Sequence, residues 1–367
     1  MKIKLTSAIV AFAAVGALTL SGCGSSDRGG DTAGGGESAA AGFEEGATIG
    51  VALPQKTSEN WVLAENLFND GLTEAGYKPI VQFANGGVSE QQNQIQAMIE
   101  QGAKVIVVGA IDGSQLGSQL KAAHDQGVKV IAYDRLLQNT DAVDVYEAFD
   151  NFHVGELQGQ SLLEGLKDRK GDGPYNVELI SGSPDDANSK PFFEGAMSVL
   201  QPKIDDGTLV VKSGQTSQQQ TATQGWKAEN AQNRMDTILS GSYKDDDIDG
   251  ILSPNDTLAR AALTSAKQAG KDVPVVTGQD SEVESVKSIM AGVQYSTIYK
   301  DTRKLVAATI DAVDSYQAGE DAEVNDTKSY DNGVKVVPAN LLEPVIVTKD
   351  NAEETYAGDP TLEDVFK

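Results

Sequence analysis

Short, almost wholly apolar runs recur from residue 47 onward, each followed by a longer stretch whose apolar side chains fall at helical spacing. Residues 47–53 form the first run, and over 58–75 Trp61, Leu67, Phe68, Leu72 and Ala75 mark one helix face before Gly76. The alternation predicts further strands at 80–83, 105–108, 128–133 and 145–149, with helices at 89–101 and 114–126 between them. Strands without polar alternation are buried on both faces, so this block predicts a parallel sheet covered by helices on two sides. A second block of the same design begins near Asn151, with helices at 154–166, 191–200, 223–239, 257–269 and 283–290. Its strands are expected at 177–181, 209–213, 248–252 and 273–277. A strand at 294–298, a helix at 303–316 and β-like segments at 335–337 and 344–347 come last. The expected fold is α/β with two lobes, each a parallel sheet sandwiched by helices, and a ligand would lie at the carboxyl ends of the strands between them.

The first residues are of another kind. Lys2 and Lys4 form a positive head, and residues 8–20 are apolar but too short to span a bilayer comfortably, the pattern of a secretory signal. Leu20-Ser21-Gly22-Cys23 resembles a bacterial lipobox, which implies cleavage before Cys23 and acylation of its thiol. Residues 24–46 are rich in Gly, Ser, Ala and Asp and bury too little to fold, so they are expected to be a tether. The organisation expected is a signal peptide at 1–22, a tether at 23–45, and an extracytoplasmic globule held to the outer face of the cell membrane by lipid alone.

With 29 Lys+Arg against 54 Asp+Glu, the formal net charge is −25, which disfavours a general grip on nucleic acid or on an anionic membrane face. One Cys and two His (His124 and His153) exclude an intrachain disulfide and leave too few soft ligands for a zinc cluster. No metal and no cofactor are expected.

The polar residues of chemical interest stand at predicted strand ends. Asp134-Arg135 follows Tyr133, Asp150-Asn151 follows Phe149, Asn255-Asp256 follows Ser253-Pro254, Gln279-Asp280 follows Val276-Thr277-Gly278, and Lys300 follows Tyr299. Lys56, Glu59, Asn60 and Trp61 come after the first strand, and Asn188 after the strand ending at Ser181. Such a rim suits a polyol, whose hydroxyls each donate and accept: carboxylates take hydroxyl hydrogens while Asn and Arg address neighbouring oxygens. Trp61 and Trp226, the only two tryptophans, are placed to cover the apolar C–H faces of a sugar ring. Asp and Asn after strands also cap helices, and Trp61 falls on the apolar stripe of its own helix, so each residue has an ordinary structural reading beside the functional one.

Enzyme readings find little support. No Gly-x-Gly-x-x-Gly follows the first strand, no phosphate loop occurs, and no Ser or Cys nucleophile accompanies His153 and Asp150. Asp185-Asp186 and the run from Asp245 to Asp247 could suggest metal or glycosidase chemistry, but both are expected to be solvated loops.

Taken together, Val130-Ile131-Ala132-Tyr133-Asp134-Arg135, Phe149-Asp150-Asn151, Gly182-Ser183-Pro184-Asp185-Asp186, Ser253-Pro254-Asn255-Asp256, Gly278-Gln279-Asp280, Tyr299-Lys300 and Asn332-Gly333-Val334-Lys335 are similar to the type I periplasmic sugar-binding proteins of ABC importers. Within that family the chain most resembles the xylose-binding and multiple-sugar-binding group. The resemblance implies three crossovers between lobes, with 46–150 plus 301–337 in the amino lobe, 151–300 plus 338–352 in the carboxyl lobe, and a tail at 353–367. It implies sugar contacts from Trp61, Asp134, Arg135, Asn188, Trp226, Asn255, Asp280 and Lys300, with Lys56, Asn60 and Asp150 as secondary candidates. Arg135 and Lys300 would grip ring and hydroxyl oxygens, Asp134 and Asp280 would accept hydroxyl hydrogens, and the two Trp rings would sandwich the sugar.

Relatives often carry Arg before the first-helix Trp where this chain has Asn60, and losing that rigid fork of donors shifts the expectation from a sugar acid to a neutral sugar. The lipoprotein tether also resembles that of actinobacterial receptors, including bifidobacterial fructose-binding ones, which keeps fructose beside xylose, ribose, glucose and galactose. The implied role is capture and delivery to an importer permease by a monomer, without turnover. The alternative is a sensory receptor of the same fold that signals through a membrane kinase or chemotaxis partner.

Overall fold

The computed structural model describes residues 42–56 and 58–367; Cys23, the signal segment and most of the tether lie outside the described residues. The first lobe is built from β1 (Thr48–Leu53), α1 (Glu59–Glu74), β2 (Lys78–Phe83), α2 (Val88–Glu100), β3 (Val105–Val108), α3 (Gly117–His124), β4 (Lys129–Tyr133) and β5 (Val145–Phe149). The second holds α4 (Asn151–Lys170), β6 (Tyr175–Leu179), α5 (Ser189–Asp205), β7 (Leu209–Val210), α6 (Gln218–Thr221), α7 (Ala228–Ser240), β8 (Gly250–Leu252), α8 (Asp256–Gln268), β9 (Val275–Val276), α9 (Val283–Met290) and β10 (Ser296–Tyr299). The chain ends with α10 (Thr302–Ala318), β11 (Ala339–Leu342), β12 (Val345–Thr348) and α11 (Ala352–Thr355).

The first sheet runs β11-β5-β4-β3-β1-β2, with every pairing parallel. All four residues of β3 are buried, as two-sided coverage requires, and separate apolar clusters fill the two faces of this sheet. The second lobe has a parallel sheet in the order β7-β6-β8-β9 beside an antiparallel β10-β12 pair.

Three details depart from the expected layout. The returning strand is Ala339–Leu342, not 335–337, and it pairs with β5 in the first sheet, whereas the expected division gave residues from 338 on to the second lobe. Asn340 interrupts its apolar run but donates to the buried Glu147 at 3.0 Å, a pairing that local periodicity does not reveal. The helix expected over 223–239 begins only at Ala228. Before it Gly225 and Trp226 both adopt left-handed backbone angles (φ 67° and 55°), which breaks the helix, while the indole still packs against the apolar cluster that holds Ala231 and Met235 of α7. The segment 353–367 is no loose tail: Tyr356 and Leu362 are buried with Val286 and Val347 in an apolar cluster of the second lobe.

Candidate functional site

The carboxyl ends of the strands from both lobes converge on one cleft of about 470 Å³, including its open mouth. Trp61, Asp134, Arg135, Asn188, Trp226, Asn255, Asp280 and Lys300 all line it, together with Asn60. Ser58, Asp186, Phe192, Thr257 and Gln279 complete the lining.

On the first-lobe side, Asp134 leaves β4 in a left-handed conformation (φ 61°), and its N–H donates to the Glu147 carbonyl at 2.8 Å. Its own carbonyl accepts from the Tyr146 hydroxyl (2.7 Å) and from the Asn188 amide (2.9 Å), so a residue of each lobe fixes the turn. The next side chain, Arg135, donates from Nη1 to the Ala110 carbonyl at 2.9 Å and lies over the Trp61 ring at 5.3 Å from its centroid. Trp61 is buried edge-on against Tyr133 (6.1 Å between centroids), which orients the indole toward the cleft.

The second lobe answers with carboxylates. Asp186 Oδ2 stands 3.0 Å from Arg135 Nε and accepts from Trp226 Nε1 at 3.0 Å, while Oδ1 accepts from the Asn188 N–H at 2.9 Å. The Arg135 Nε–H is not aimed along its line to Asp186, which leaves a buried donor without a hydrogen-bond partner in the cleft. Gly182 lies against the Trp226 ring and the Ser189 hydroxyl so closely that a Cβ there would overlap both. Asp280 follows β9 with φ 90°, anchored by its N–H to the Ile298 carbonyl at 2.9 Å. Lys300 Nζ sits between Asp280 (3.4 Å) and Asp134 (3.8 Å) and 5.6 Å from the Phe192 ring centroid.

Two ion pairs, Arg135–Asp186 and Lys300–Asp134, therefore cross from lobe to lobe, and the cleft is closed. At the rim another contact crosses: Glu59, in the first turn of α1, accepts from the Val283 N–H at the start of α9 at 3.1 Å.

Burial pushes the Asp186 carboxyl upward against the opposing pull of Arg135, and it does the same to Asp280 against that of Lys300. Burial also works against the Lys300 ammonium, but the carboxylates of Asp280 and Asp134 outweigh it and hold its pKa above the usual lysine range. The cleft is thus a fixed array of charges: three carboxylates (Asp134, Asp186 and Asp280) and two cations (Arg135 and Lys300), each cation matched by a carboxylate.

Two secondary candidates stand elsewhere. Lys56 pairs with Glu65 at 2.8 Å on the exposed outer side of the mouth, and Asp150 caps α4 by accepting from the His153 N–H at 3.0 Å. Asn255 has both the structural and the lining role, since its side chain accepts from the Leu258 N–H at 2.9 Å at the head of α8 while it faces the cleft. The expectation that Asp186 lies in a solvated loop is wrong. Its side chain is 4% exposed, and it joins Arg135 to Trp226. An acidic pair in a Ser/Pro-rich loop gives no local sign of burial, because its partners are 51 residues upstream and 40 downstream by residue number. Gln279, beside Asp280 at its strand end, lines the cleft as its place in the rim predicts: its amide donates to the Pro254 carbonyl at 3.2 Å, leaving a buried Oε1 without a donor. Among the described residues no group of His, Cys, Asp and Glu could hold a metal ion, and no helix is long and apolar enough to cross a membrane.

A family model described as a periplasmic binding protein domain matches residues 49–321. The multiple sugar-binding periplasmic receptor ChvE of Rhizobium radiobacter is 49% identical over 84% of this chain and 88% of its own length. The D-xylose-binding periplasmic protein of Escherichia coli is 33% identical over 85% and 89%. Among solved structures, an ABC transporter solute-binding protein from Clostridium phytofermentans with bound β-D-glucose superposes with a TM-score of 0.83 at 41% identity, covering 87% of this chain and 100% of that one. A carbohydrate transporter solute-binding protein from Chloroflexus aurantiacus in complex with D-glucose gives 0.77 at 34% identity, over 85% and 96%.

Proposed function

The chain belongs to the periplasmic binding protein family, and on that premise we propose that it captures a neutral monosaccharide in the interlobe cleft and presents the closed complex to an ABC importer. It is a solute-binding protein of the importer type, extracytoplasmic and without turnover, related to the xylose-binding and multiple-sugar-binding proteins. The observation that carries the neutral-sugar reading is the charge balance of the cleft: Arg135 and Lys300 are already matched by Asp186, Asp134 and Asp280. An anionic ligand would enter beside three carboxylates with no unpaired cation to receive it. A polyol meets what it needs, namely carboxylate acceptors, the free Arg135 Nε–H donor, the free Gln279 Oε1 acceptor and two indoles.

Contacts from both lobes make sugar binding and closure one event, because the open form offers the ligand only half of them. Glucose and xylose head the candidates, with ribose, galactose and fructose behind them, since relatives above 30% identity carry glucose or are named for xylose. Asp134, Arg135, Asn188, Asn255, Asp280 and Lys300 supply the polar contacts in this reading, and Trp61 and Trp226 flank the ring. Cys23 is proposed as the acylated anchor, the globule as a monomer, and the permease as the partner. Titrating tryptophan fluorescence with glucose and with glucuronate tests the charge argument: the neutral sugar is expected to bind at least tenfold more tightly, and equal binding would overturn it.

A further inference from the structure

We infer that the carboxyl-terminal segment 352–366 is a positioning element of the sugar site, acting on Asp280 and Lys300 through the residues next to each; this rests on the sugar-binding reading above. Asp280 and Ser281 are consecutive non-glycine residues in left-handed conformations, φ 90° and 53°, an arrangement that persists only where the surroundings hold it. The Tyr356 hydroxyl is one of the holders. It donates to Ser281 Oγ at 2.8 Å from a fully buried ring, while the Ser281 N–H donates to Thr297 Oγ1 at 3.2 Å.

The same ring packs edge-to-face on Tyr299, with centroids 5.1 Å apart at 86°. Tyr299 immediately precedes Lys300, and its hydroxyl donates to Asp359 Oδ2 at 2.9 Å. Arg303, in the first turn of α10 and so on the first-lobe side of the crossover, donates to the Tyr299 hydroxyl at 2.6 Å and pairs with Asp359 at 3.1 Å. The segment thus grips the chain on both sides of Lys300 at the point where it passes from one lobe to the other. Asp280 and Lys300, 3.4 Å apart in the cleft, each stand one residue from a side chain held by the segment. None of Tyr356, Asp359 or Arg303 lines the cleft, so their effect on a sugar is indirect.

The test compares Tyr356→Phe and Asp359→Asn with Val286→Ala, which thins the same apolar cluster without touching the polar chain. Glucose and xylose affinities are measured by calorimetry at a temperature where all variants are folded, alongside the melting temperature without sugar. Tyr356→Phe and Asp359→Asn are expected to weaken binding about threefold to tenfold, the range for one lost hydrogen bond. Val286→Ala is expected to lower the melting temperature with affinity unchanged. Wild-type affinity in both polar variants, or an affinity loss that follows melting temperature across all three, would overturn the inference. A wild-type protein that binds neither sugar nor any other monosaccharide would instead remove the sugar-binding reading beneath it.

Discussion

Replacing Asp186 with Asn separates the contacts that close the cleft from those that merely build the second lobe. The two oxygens of Asp186 have different duties: Oδ1 accepts from the Asn188 N–H within its own lobe, and Oδ2 faces Trp226 Nε1 and Arg135 Nε, each at 3.0 Å. An Asn that keeps Oδ1 in place puts an NH₂ where Oδ2 was, so that donors face donors. Breaking a buried ion pair costs up to about 3–5 kcal/mol, and less for one such as Arg135–Asp186 whose N–H is not aimed at the carboxylate; an unpaired buried indole N–H costs about 1–3 kcal/mol. Only the Arg135 contact joins the lobes, so about 2 kcal/mol appears as lost sugar affinity, roughly thirtyfold. The Trp226 contact lies within the second lobe, and its loss lowers the melting temperature of the sugar-free protein by a few degrees, about 2–4 °C per kcal/mol for a unit of roughly 150–250 residues such as one lobe. Calorimetric titration and a sugar-free melt read the two effects apart. An affinity within threefold of wild type would refute the claim that Arg135–Asp186 is part of the closed binding form.

Two further predictions use groups outside the sugar contacts. Glu147 is buried on β5, between β11 and β4, and burial pushes its pKa up to about 8, with the Asn340 amide opposing and Asp311 and Glu323 adding to the rise. A carboxyl whose folded pKa exceeds its unfolded one stabilises the fold in its neutral form, so that contribution is complete below about pH 4.5 and is lost as pH rises through about 8. Melting temperature is therefore expected to fall between about pH 5 and about pH 8, and Glu147→Gln to flatten that fall; an unchanged pH slope in the variant would contradict it. Glu59→Ala removes the rim contact to the Val283 N–H, present only when the lobes meet, and is expected to speed sugar release about threefold with no change in the sugar-free melt. Stopped-flow fluorescence measures the release rate, and an unaltered rate would count against a closure role for Glu59.

Much of this arrangement is legible in the sequence, because a doubly covered parallel sheet writes itself as uninterrupted apolar runs. The 105–108 run matches β3 residue for residue, and the polar residues at strand ends that it implies gather in one cleft. The rest depends on distance. The strand at 339–342 carries a polar residue that only its neighbour Glu147 explains, and no window of local sequence contains both. Asp186 reads as solvated until Arg135 and Trp226 are brought to it. Trp226 reads as helical because nothing local announces that both Gly225 and the Trp itself turn left-handed. Lys56 and Asp150 follow strand ends as the lining residues do, yet a nearby carboxylate and a helix head take them up first.

Every contact described in the cleft serves one purpose, the holding of a neutral monosaccharide between closed lobes. Isothermal titration calorimetry of the protein from residue 46 onward, freed of carried-over sugar, against glucose, xylose, ribose, galactose, arabinose and fructose tests it most directly. One sugar per chain, with a dissociation constant in the micromolar range or tighter for at least one of the six, is the predicted result. No heat of binding from any of them would contradict it.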